Sequence, residues 1–137
     1  MPSSSNSVTP LIGRMLISLI FILSGISKIP AYSMMVGYAA SKGLPLAHFG
    51  IAAAAAIEIL GGLAVLIGFR VRIAAWLLFL YLIPTTFYLH NFWAMQGMER
   101  MDAQVHFMKN LAIMGGLLLL AAYGSGRYSV DSAQAKA

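Results

Sequence analysis

Glu58 lies near the middle of an apolar stretch, 48–69, that is long enough to cross a bilayer. A carboxylate at the centre of such a helix costs about 2.5–3.5 kcal/mol on insertion scales, so it is rare without a partner or a task. Lys28, His90 and Lys109 fall close to one end of three other apolar stretches, and Asn110 follows Lys109. An ammonium can neutralise the carboxylate. An imidazole, a second ammonium and a carboxamide can hydrogen-bond the carbonyl oxygens of a bound molecule, and Glu58 can accept or relay a proton.

These groups belong to a membrane protein. Hydrophobic residues make up 60% of the 137 and charged residues 9%, and the mean hydropathy is +0.81. A soluble domain carries about 25% charge. The chain is too short for two domains, so residues 1–137 are expected to form a single membrane domain. There is no cysteine, which excludes thiol redox chemistry, disulfides and thiolate metal sites within the chain. The net charge of +5 does not indicate nucleic acid, because the basic residues sit at the ends of apolar runs, where membrane proteins keep them.

Four spans are expected, at about 11–29, 48–69, 73–92 and 106–123, each near the 20 residues that cross ~30 Å of hydrocarbon. The fold class that follows is all-α, an integral membrane four-helix bundle. Polar tails flank it at 1–10 and 124–137, the second expected to fray at its end. The first span has too long an apolar core for a signal peptide and no clear cleavage site follows it, so it reads as a retained helix. A tight turn around Arg70 and Arg72 joins spans two and three. Longer loops, 30–47 and 93–105, lie together on the opposite face.

The basic residues set an orientation. Arg14, Arg70, Arg72, Arg127 and Lys136 collect on one face with Asp131 as the lone acid, while Lys28, Lys42, Arg100 and Lys109 on the other are offset by Glu99 and Asp102. Both termini are therefore expected in the cytoplasm of a bacterial inner-membrane protein.

Helical spacing then places the polar groups. Arg14, Ser18, Gly25 and Lys28 share one face of the first span, and Ala54, Ala55, Glu58, Gly61 and Gly62 share a small-residue face of the second. Small residues, Gly116 on the fourth span included, let helix backbones approach closely in lipid. Side chains lean toward the N-terminus of their own helix. Glu58 therefore leans outward while Lys28 and His90 lean inward, and the three converge in the outer half of the bundle with Lys109 at its mouth. Pro84 interrupts the third span and frees the carbonyl of Leu80, and nearby Thr85 and Thr86 can satisfy it or bend the helix. Tyr81, Thr85 and Tyr88 share a face, so Tyr81 and Tyr88 are candidates for an aromatic pocket wall, with 32–46 as a lid.

Plainer readings stand beside these. Lys28 and Lys109 also fit snorkelling to the headgroups, Glu58 a purely structural pair with Lys28, and His90 an interfacial histidine. His48, His90 and His106 all fall on the outer face, but no two have ligand spacing within one helix, so a metal site is not expected and haem is disfavoured.

The segments GRMLISLIFILSGISKI, GLP, EILGGLAVLIGFRVR, HNFW and FMKNLAIMGGLLLLAAYGSGRYSVD together resemble the DoxX family of small four-helix bacterial membrane proteins. The resemblance covers about residues 11–131. The matching positions are Arg14, Gly25, Lys28, Glu58, Gly61, Gly62, Gly68, His90, Lys109, Asn110, Gly116 and Asp131; His48 and His106 match no motif. The resemblance implies the fold and a link to quinol oxidation, thiosulfate:quinone oxidoreduction or quinone stress, with thiol-redox proteins as partners of some members.

Three readings of function follow. In the first, the chain is a redox-associated subunit, with a redox partner protein, that binds a quinone-like or other apolar small molecule near Lys28, Glu58, His90, Lys109 and Asn110. In the second it is an oligomeric small-solute transporter with Glu58 as the proton-coupled group. In the third it is a scaffold whose polar cluster only fixes helix packing. No nucleotide or flavin fingerprint is present.

Overall fold

The computed structural model describes residues 7–137, so residues 1–6 of the expected polar tail lie outside the described residues. Helix α1 spans Thr9–Ser27, α2 Tyr32–Ser41, α3 Ala47–Ile67, α4 Val71–Leu89, α5 Gly97–Tyr123 and α6 Val130–Gln134, with a single 3₁₀ turn over Phe92–Ala94 between α4 and α5. No strand occurs among the described residues. Helices α1, α3, α4 and α5 are each long and apolar enough to span a membrane. The expected all-α four-helix bundle is the observed one.

The local signals explain the boundaries. Pro10 sits in the first turn of α1, where its missing N–H costs nothing. Gly68 ends α3 in the left-handed region at φ 72°, and a side chain there would collide with Ser129 and Arg14. The 30–47 loop contains a helix, α2, laid across α3. The 93–105 loop is mostly the start of α5, which begins nine residues before the expected 106. At 1.5 Å per residue, α5 is roughly 40 Å long and outruns the hydrocarbon. Its first turns carry Glu99, Arg100 and Asp102, so hydropathy sees only the later, apolar part.

Packing runs α1 on α3, α3 on α4 and α4 on α5, while α1 and α5 barely touch. Gly25 of α1 meets α3 so closely that a Cβ would fall 2.7 Å from Ile59 Cγ1. Gly62 meets Ile22 and Gly61 meets Leu78, each at 2.8 Å. Gly116 is looser, 3.2 Å from Ile17 Cδ1. The main core, Phe21, Val65, Val71, Ala74, Ala75, Leu78, Leu82, Leu117 and Ala121, fills the middle of the bundle and the end that carries the termini. A smaller cluster, Val36, Ala39, Ala47 and Ile51, sits under α2 at the opposite, connector end. Leu16, Leu60, Leu77 and Leu119 face outward, as a surface solvated by lipid requires.

The segment 124–137 is not frayed. It folds back across the terminal end as a strap ending in α6. The Asp131 carboxylate accepts bonds from the backbone N–H of Arg70 (2.7 Å) and Val71 (2.9 Å), and its own N–H donates to Gly68 O at 2.9 Å. Arg14, 1% exposed, donates to Val65 O at 3.2 Å, Leu66 O at 3.0 Å and the strap carbonyl of Tyr128. These bonds satisfy helix ends that have no partners of their own.

Candidate functional site

The common face of α1 is buried along its length at Arg14, Ser18, Gly25 and Lys28. The close approach at Gly25 brings its last member against Glu58. Lys28 Nζ donates to Glu58 Oε2 at 2.7 Å, with the two side chains 10% and 6% exposed. Lys28 also donates to Ser24 Oγ at 2.9 Å, one turn back on the same helix. The second carboxylate oxygen, Oε1, accepts the hydroxyl of Tyr81 from α4 at 2.7 Å. Glu58 thus has a charged donor and a neutral one, and three helices meet at its carboxylate. A buried pair of this kind offsets its desolvation only when such further bonds satisfy the remaining lone pairs.

Asn110 of α5 is buried and donates to Thr86 Oγ1 of α4 at 3.1 Å. Thr86 is fully buried, and Thr85 donates to Tyr81 O at 3.0 Å. Thr85 thus bonds the carbonyl four residues back, a contact that bends helices, and not the carbonyl of Leu80. At the mouth, the rings of His90 and His106 stack with centroids 5.1 Å apart. Lys109 Nζ lies 3.0 Å from His106 Nδ1, and Asp102 lies 3.8 Å from His106 Nε2.

A cavity of about 280 Å³ joins these groups. Lys28, Glu58, His90, Lys109 and Asn110 all line it. So do Ser24, Thr85, His106 and, from α2, Met35 and Tyr38, while Ile20, Phe21, Leu82 and Ile113 form apolar walls. The Tyr38 hydroxyl donates to Leu89 O at 3.2 Å, holding α2 over this end. The cavity takes walls from α1 and α5 where those helices hardly meet.

One expectation fails here. Tyr81 and Tyr88 do not line this cavity; they line a separate apolar one of about 170 Å³ with Ile57 and Pro84. The two cavities share Lys28, Thr85 and Leu89. The tyrosines lie on the α3-facing side of α4, and Tyr81 is held there by Glu58. A further cleft, about 530 Å³, is at the terminal end and contains none of the cluster.

Several contributors were not singled out from the sequence. Ser24 was legible in principle, four residues before Lys28 on one helix face. Tyr38 carries no such local signal, and Thr86, considered only for the Leu80 carbonyl, accepts instead from Asn110, a partner distant in sequence. His48 pairs with Tyr32, whose hydroxyl donates to His48 O at 2.8 Å, and takes no part in the cluster. Among the described residues no group of three or more His, Asp or Glu side chains is placed to hold a metal ion.

Fold and site define a small multi-pass α-helical membrane protein with a charge-paired cavity in one half of its bundle. The DoxX family model matches residues 9–91, more than half of the chain, and the protein belongs to that family. It is 33% identical over 128 residues to the inner membrane protein YphA of Escherichia coli, covering 93% of this chain and 91% of that protein. It is 37% identical over 121 residues to the inner membrane protein YqjF of the same organism, covering 88% of each. A shorter match, 35% over 75 residues, links it to the ER-derived vesicles protein ERV29 of Saccharomyces cerevisiae, covering 55% of this chain and 24% of that protein. No solved structure matches the chain.

Proposed function

We propose that this chain is a bacterial inner-membrane protein that holds a quinone-like ring in the 280 Å³ cavity, as a redox-associated subunit. The observation that carries this reading is the composition of that cavity. Apolar walls surround a few hydrogen-bonding groups from different helices, which is how small-molecule sites fix an apolar ligand's orientation. Lys28 and Glu58 form the fixed wall. Asn110, His90 and Lys109 stand nearer the mouth and would bond the ligand's carbonyl oxygens. The weak α1–α5 seam offers a membrane-dissolved molecule a way in from the bilayer.

The test is titration of a short-chain quinone analogue into the purified protein in detergent, with organic extraction to reveal retained quinone. His90→Ala and Lys109→Ala should each weaken binding by roughly tenfold, the value of one hydrogen bond to a charged or polar donor at about 1.5 kcal/mol. Both should leave the bundle folded. Equal affinities across the three proteins, or no saturable binding, would favour the scaffold reading. That reading has its own support, since both oxygens of Glu58 are already bonded within the protein.

The inner-membrane location rests on the names of the two E. coli relatives. Both termini are proposed to be cytoplasmic, because Arg14, Arg70, Arg72, Arg127 and Lys136 gather at the terminal end. Reporter fusions at Ser41 and Gly97 should then report the exterior, and fusions after Arg70 and Arg127 the cytoplasm. An exterior C-terminus would reverse the orientation.

A further inference from the structure

We infer that the cleft at the terminal end is a binding site for the phosphodiester headgroup of an anionic phospholipid. The cleft, about 530 Å³, lies between the start of α4 and the end of α5 and is lined by Arg70, Arg72, Tyr123, Ser125, Asp131 and Ser132 among others. Arg72 uses only Nη1 within the protein, donating to Ala121 O at 2.8 Å and Ala122 O at 2.6 Å. Its Nε and Nη2 meet no acceptor among the described residues. The Arg70 guanidinium rests 5.9 Å over the Phe69 ring and likewise has no acceptor among the described residues. Arg70 and Arg72 both line this cleft, and planar forks with unused donors are the groups that bind phosphate oxygens bidentately.

Asp131 lines the cleft too, its two oxygens each accepting a bond from a backbone N–H, and the two arginines outnumber its single negative charge. The depth suits a lipid. The cleft is bounded by the ends of two membrane-length helices, with Tyr123 82% exposed at the level where tyrosines mark the interface. Below it on α4, Ile73, Trp76, Leu77 and Leu80 are all exposed and form an apolar track for an acyl chain. A soluble phosphate would use the arginines and leave that track unused. This site is independent of the cavity at the other end and stands whether or not that cavity binds a quinone.

The experiment is native mass spectrometry of the full chain in detergent, titrated with phosphatidylglycerol or phosphatidylcholine. Wild type should retain phosphatidylglycerol in preference. Arg70→Gln should lower that retention about fivefold, the effect of one basic residue at an anionic surface. Arg70→Lys should fall between the two, because it keeps the charge and loses the fork. Arg100→Gln, at the opposite end, should bind as wild type does. Melting curves should match closely, since the exposed Arg70 side chain makes no hydrogen bond among the described residues. Equal retention of the two lipids by wild type, or an unchanged Arg70→Gln, would overturn the proposal. Displacement of phosphatidylglycerol by equimolar glycerol 3-phosphate would overturn the lipid assignment and leave a soluble phosphoester site.

Discussion

At the terminal end, Arg14, Arg72 and Asp131 bond to backbone; at the connector end, Lys28 and Glu58 bond to each other. Arg14 takes the last carbonyls of α3, Arg72 those of α5, and Asp131 the first N–H groups of α4. Each charge therefore completes a helix end whose backbone groups have no partner within their own helix. The apolar core extends into that half. The other half replaces core with a cavity, and its charges neutralise one another around that space. The difference teaches that position in the bundle decides what a membrane-embedded charge is for. Beside a helix terminus it substitutes for a cap. Inside a helix, as at Glu58 of α3, the backbone groups are already paired, so the charge needs another side chain, here Lys28 at the end of α1, and the space around that pair is available to a ligand.

The largest effect that can break this contrast lies in the ion pair. Lys28→Met leaves Glu58 buried with the Tyr81 hydroxyl alone and should destabilise the protein by about 3–5 kcal/mol. Glu58→Gln should cost less, because its amide oxygen can still accept from Lys28 while its N–H donates to the Tyr81 hydroxyl oxygen. The double variant Lys28→Met with Glu58→Gln should recover most of the loss, since removing a buried pair as a set leaves no orphan charge. Reversible unfolding of the three variants in one detergent measures all of this. Additive losses in the double variant would show that Lys28 and Glu58 are not each other's principal partners, and the contrast between the ends would collapse.

Much of this was legible in the residues. A four-span all-α bundle follows from hydropathy, and helical spacing puts Arg14, Ser18, Gly25 and Lys28 on one buried face. Lys28, Glu58, His90, Lys109 and Asn110 stand around one cavity because side-chain lean and helix direction are simple geometry. What stayed hidden has physical causes. The early start of α5 is amphiphilic only beyond the membrane, where hydropathy gives no signal. Tyr81 was placed on a pocket wall because periodicity identifies a face and not the neighbour that face meets; α3 claims it through Glu58. The tail looked unstructured because its anchors are backbone groups of other helices, and a sequence does not display those.

The smaller effect tests the terminal end, and Asp131 is the residue to change. Asp131→Ala removes both acceptors from the first N–H groups of α4, a loss comparable to that of an N-cap, about 1–2 kcal/mol. The cost should stay local. Asp131 is only half-buried, so water can replace part of what is lost, and the strap has further ties through Arg14 to Tyr128 O and Asp131 N–H to Gly68 O. Amide exchange across 129–133 should therefore speed up by roughly 5–30-fold, the factor that 1–2 kcal/mol of local opening implies. Exchange in α2, at the connector end, should not change. Asp131→Asn keeps one acceptor oxygen and should fall between Ala and wild type. If exchange rises in α2 as much as in the strap, the ends are energetically one unit and their different use of charge is only a matter of position. If exchange in the strap does not rise at all, the Asp131 carboxylate is not what holds the C-terminal segment in place, and the bonds of Arg14 to Tyr128 O and of Asp131 N–H to Gly68 O must account for it.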